Sequence, residues 1–106
     1  MMTGATESRL SNGELAAALT SQIDTAQFLW DFDWLHPDFR AWQAAVHESL
    51  AAAGDKTVVR EFDRIRFRPS DVPGDATRRH FKLVYQDGLG RAVDLLKGVR
   101  ERLTYP

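Results

Sequence analysis

The stretch FKLVYQDGLGRAVDLLKGVRERL, Phe81 to Leu103, decides how this chain folds. Phe81, Tyr85, Leu89, Ala92, Leu96, Val99 and Leu103 recur every three or four residues, which lines them along one stripe of a helix. A lone helix has nothing to bury such a stripe against, so earlier segments must supply its partners. The rival reading is a strand. Phe81 to Tyr85 alternates in part, and Asp87-Gly88 is a hairpin-type dipeptide. Gly88, Gly90 and Gly98 add weight to that rival, because each interior helix glycine costs about 1 kcal/mol relative to alanine. Against it, the apolar stripe runs through Gly88 and Gly90 without losing phase. Small residues at Gly88 and Ala92 also let another helix approach closely. The expected fold is therefore all-α, a small bundle of three to four helices with a long C-terminal helix. The alternative is α+β with a central β-hairpin over about 59–86.

Working back from that stretch, residues 69–75 read as a loop, with two prolines, a glycine and turn-forming acids. Residues 55–68 are ambiguous. As a helix they put Val58 or Val59, Phe62 and Ile65 on one face; as a strand, Ile65 and Phe67 alternate with Arg64, Arg66 and Arg68. The segment before has clear start and stop signals. Pro37 suits a first helical turn and Asp38 favours the helix dipole there. Phe39, Trp42, Val46, Leu50 and Ala53 form a stripe, and Gly54 stands where helices end. Earlier still, Asn12 is the expected N-cap of a first helix carrying Leu15, Leu19, Ile23, Ala26 and Trp30 at helical spacing. The spacing predicts helices near 12–33, 37–53, 56–66 and 76–103, in a single domain over 12–106. Residues 1–11 are polar and irregular and are expected to be a disordered start.

The length, 106 residues, suits one domain. An apolar share of 43% is that of ordinary globular proteins. The absence of cysteine excludes disulfides, thiolate metal sites and a cysteine nucleophile. No apolar run approaches the roughly 20 residues of a membrane span, and the first residues lack the apolar core of a signal peptide. A cytoplasmic location is expected. Residues 1–55 hold eight acids and two bases, whereas 56–106 hold seven acids and twelve bases. The ordinary reading is that the two halves pack together and offset each other.

One pattern spans Phe39 to Leu103. Trp42, Val46 and Leu50 lead to Phe62-x-x-Ile65-x-Phe67-x-Pro69, and after a loop come Phe81, Gly88-Leu89, Ala92 and Leu95-Leu96. This resembles a helical module found N-terminal to TIR-like and other effector domains in bacterial proteins, many of them associated with anti-phage defence. The resemblance implies helix over Phe81 to Leu103. The 106 residues hold no effector domain, so what it implies here is an oligomerisation, sensing or partner-docking role, as an adaptor in a bacterial defence or phage-related system.

Four features compete as carriers of chemistry. Arg64, Arg66 and Arg68 precede the loop, and Arg78, Arg79 and Lys82 follow it. If the loop folds back, the two groups can meet around one anion or docking partner, since the guanidinium fork suits phosphate. A helix starting near 75–77 would add its N-terminal amides. The plainer reading is a solvated basic face. Trp30, Phe32 and Trp34, set between Asp31 and Asp33, form an interface if exposed and cap the core if not. Two aspartates alone are a thin cation site. His36, His47 and His80 have no ligand spacing, and Ser49, two residues after His47, points elsewhere on a helix. No phosphate-loop, dinucleotide or nucleophile-elbow motif occurs. The fourth feature is the stripe itself, which in so small a bundle leaves apolar surface that a homodimer would bury. The expectation is a non-catalytic protein-interaction or oligomerisation module without cofactor or metal, with a protein or a second copy as partner. Nucleic-acid or nucleotide binding at the arginines is the alternative.

Overall fold

A computed structural model describes residues 11–54, 56–68 and 78–104, the side chain of Arg78 excepted. Four helices account for most of them: α1 (Asn12–Leu29), α2 (Pro37–Ala52), α3 (Lys56–Asp63) and α4 (Arg78–Thr104). The fold is all-α, a small bundle with a long C-terminal helix. The α4 stripe is the spine of the core. Tyr85, Leu89, Ala92, Leu96 and Val99 are buried, and Leu103 packs at the edge. α1 packs along α4, α2 along α1, and the short α3 bridges α2 and α4. Their contributions are Leu19, Ile23 and Leu29; Phe39, Trp42, Val46 and Leu50; and Val58 and Phe62. Aromatic rings meet at the centre, with Phe39 4.8 Å from Phe67 and 5.1 Å, edge-on, from Tyr85.

The helix ends explain where the sequence reading shifts. α1 is capped by Ser11, not Asn12. The Ser11 hydroxyl accepts from the Glu14 amide, and the Glu14 carboxylate accepts from the Ser11 amide, a reciprocal pair. These bonds hold the Glu14 carboxyl below its ordinary value of 4.5. The rest of the expected disordered start, residues 1–10, lies outside the described residues. α1 stops at Leu29 rather than 33, and the final apolar position of its stripe is Leu29, while Trp30 turns outward. Two α4 side chains terminate it. The Tyr85 hydroxyl donates to the Leu29 carbonyl at 2.7 Å, and the Gln86 amide to the Trp30 carbonyl at 3.1 Å. α2 begins at Pro37, its cap the His36 ring, whose Nδ1 accepts from the Asp38 amide. It ends at Ala52 with Ala53 as its cap, and Gly54 follows with a φ of +81°, which is open to glycine at little cost.

Among the described residues there is no strand, and those of 59–86 form no β-hairpin. Residues 59–63 complete α3, and Arg64–Arg68 is an irregular connector. The period-two pattern survives in it all the same. Ile65 is half-buried and Phe67 buried, while Arg64, Arg66 and Arg68 are exposed. The connector crosses α4 at Gly88. A β-carbon there would stand 2.5 Å from the Arg66 carbonyl oxygen and 2.9 Å from the Phe67 ring, so only hydrogen fits. Asp87, half of the apparent hairpin signal, instead accepts from Arg91 one helical turn on, at 2.8 Å. The loop expected over 69–75 lies outside the described residues.

Candidate arginine and aromatic site

Four elements enclose an open cleft of about 950 Å³. Trp34 and Leu35 come from the α1–α2 turn, Arg40 and Gln43 from α2, Arg66 and Arg68 from the connector, and Phe81 from α4. Phe39, Ile65 and Phe67 form the floor. Trp34 and Phe81 stand together with ring centres 5.7 Å apart. Among the described residues the lining carries three arginines and no acid. Neither Arg40 nor Arg68 has an ion-pair partner among the described residues.

The basic residues singled out in the sequence do not converge on one point. Arg66 and Arg68 line this cleft. Arg64, with Arg66 again, borders a second of about 730 Å³ whose lining includes Glu61, Asp87, His80 and Arg91. Arg79 and Lys82 lie in a third of about 440 Å³, with Trp30, Asp31, Leu83 and Gln86. Lys82 there reaches Asp31 at 3.3 Å. Arg78 opens α4, and the helix start expected near 75–77 lies outside the described residues. Arg40 and Gln43 escaped the sequence reading. They sit among the α2 core positions Phe39 and Trp42, and nothing in their spacing links them to a connector distant in sequence.

The aromatic segment divides in the same way. Phe32 and Trp34 pack against the core, and Phe32 stacks on His36 with ring centres 3.9 Å apart. Trp30 is exposed at 43%, and Phe28 (78%), Leu35 (66%) and Leu83 (55%) more so. The histidines have separate surroundings: His36 caps α2, His47 lies 3.5 Å from Asp63, and His80 borders the second cleft. Ser49 accepts from the Gln22 amide at 2.9 Å. Among the described residues no three potential ligands gather for a metal, and no helix is long and apolar enough to cross a membrane. Compared with protein-family models, curated proteins and solved structures, the chain matches none.

Proposed function

We propose that the chain is a non-catalytic interaction module that associates with a second copy of itself through the surface around Trp30 and Leu83. One observation carries this reading. Two large apolar side chains, both exposed, wall one cleft, where burying them from water favours association. The same cleft holds one acid, Asp31, and two bases, Arg79 and Lys82. Such a mixed surface is complementary to itself: across a two-fold axis, Asp31 of each copy faces the bases of the other. Trp30 and an arginine side by side are also the residue types that anchor interfaces. The adaptor role in a bacterial defence or phage-related system rests on the sequence resemblance alone.

The test is solution mass by light scattering over a concentration series, with Leu83→Glu beside the native chain. Leu83 is exposed, so the variant keeps the fold. A native dimer that becomes a monomer in the variant supports the reading. A native chain that stays monomeric throughout rejects self-association and leaves a different protein as the partner.

A further inference from the structure

We infer that the 950 Å³ cleft is a separate binding site for a nucleotide, its phosphates held by Arg40, Arg66 and Arg68 and its base by Trp34 and Phe81. Ligand pockets are concave, of about 300–1,000 Å³, mostly apolar with a few convergent polar groups. This cleft lies within that volume range, and its aromatic and aliphatic floor is bordered by three guanidinium groups and the Gln43 amide, so that polar and apolar surface line it about equally. Arg40 and Arg68 have no ion-pair partner among the described residues, and a bound anion offsets their like charges. Arginine suits a phosphate because it donates two parallel hydrogen bonds in a plane.

The arginines are also placed by the fold. Arg40 is fixed on α2 between buried Phe39 and Trp42. Arg66 and Arg68 lie on a connector pinned at Phe67, which is buried, and seated against Gly88. Alternation along that connector turns both arginines outward together. Trp34 and Phe81 enter from two further elements, and their faces suit the flat apolar surface of a base. A bare anion would leave this wall unused. A nucleic-acid strand fits less well than a mononucleotide. A strand extends beyond one cleft, and this chain is acidic overall, with exposed Asp31, Asp38 and Glu48 on its first half. A domain that follows a strand is basic along its path.

Isothermal titration of the native chain with ADP, GDP, pyrophosphate, adenosine and a short oligothymidylate tests the site. The comparison variant is Arg40→Gln with Arg68→Gln, both exposed and away from the core. The expected result is binding of ADP or GDP, weaker binding of pyrophosphate and none of adenosine. The double variant, which loses two charged hydrogen-bond donors, weakens nucleotide binding by about tenfold or more. Absence of nucleotide binding overturns the inference, and so does equal binding by the variant. Pyrophosphate binding as tightly as ADP shows that the aromatic wall contributes nothing. Oligothymidylate binding more tightly than either nucleotide makes the ligand a strand. Because Leu83 does not line this cleft, Leu83→Glu leaves the titration unchanged whichever way the self-association test falls.

Discussion

The Tyr85 ring is fully buried, and its hydroxyl ends α1 by donating to Leu29. Burial first, and the nearby Asp33 carboxylate second, push this hydroxyl far above its ordinary value of 10. The folded state therefore favours the neutral phenol. That contribution is complete below pH 10, the value the unfolded chain would have, and is lost as pH rises from there toward the higher folded value. Tyr85→Phe removes the hydrogen bond, but the Leu29 carbonyl keeps the Phe32 amide as a second donor at 3.0 Å. The expected cost is thus about 1 kcal/mol, not the larger penalty of an orphaned buried carbonyl. Urea denaturation at neutral pH and above pH 10 measures both effects. The native chain loses its advantage over Tyr85→Phe at the alkaline end; an unchanged difference would contradict this account. Tyr85 as a core residue was legible from its place in the stripe. Its acceptor was not, because that depends on α1 stopping at Leu29, and the aromatic run after it looks equally helical by spacing. The Ser11 and Glu14 pairing was present in the sequence as well, three residues apart, but Asn12 is itself a favoured cap and stands beside it.

Along α4 the glycines look alike in sequence and differ in the folded chain. Gly98 has nothing within 4 Å of where a β-carbon would go, whereas Gly88 faces the Arg66 backbone at 2.5 Å. The same substitution therefore has opposite signs. Gly98→Ala raises stability by about 0.5–1 kcal/mol through helix propensity and reduced freedom of the unfolded chain. Gly88→Ala gains the same amount but must displace a backbone oxygen, which costs about 1–3 kcal/mol, so the net change is a loss. Thermal denaturation of the two variants decides it. Two increases in Tm would mean that the connector yields without resistance. This contact also explains the competing readings of residues 59–86. The alternation in Ile65 to Arg68 is genuine, but it belongs to an extended connector resting on a helix. No single-segment pattern separates that from a strand, since both turn alternate side chains to one side. The helical stripe of α4 carried more information because it ran for six turns without a break.

For the molecule as a whole, the uneven charge suggested two halves attracting each other. The halves do pack together, but the described contacts between them are chiefly apolar: Leu19 and Ile23 with α4's stripe, Phe39 with Phe67 and Tyr85. Among the described residues, Lys82 with Asp31 joins a base of the second half to an acid of the first, and Asp31's side chain is 84% exposed. His47 of the first half also lies 3.5 Å from Asp63 of the second. Exposed pairs of this kind contribute about 0–1 kcal/mol. Raising salt from about 0.1 M to about 1 M shortens the screening length from about 10 Å to about 3 Å and removes most of what they supply. The expected loss for a domain of this size is only a few degrees in Tm, since about 1 kcal/mol corresponds to about 4–8 °C. Sodium chloride suits the measurement, because sulfate or phosphate would strengthen apolar burial and could occupy the arginine cleft. A fall well beyond that range would mean that charge attraction, not the aromatic core around Tyr85, holds the halves together. After a small fall, Arg40 of the first half and Arg68 of the second, neither with an ion-pair partner among the described residues, are the cations whose binding of an anion should itself be most sensitive to salt.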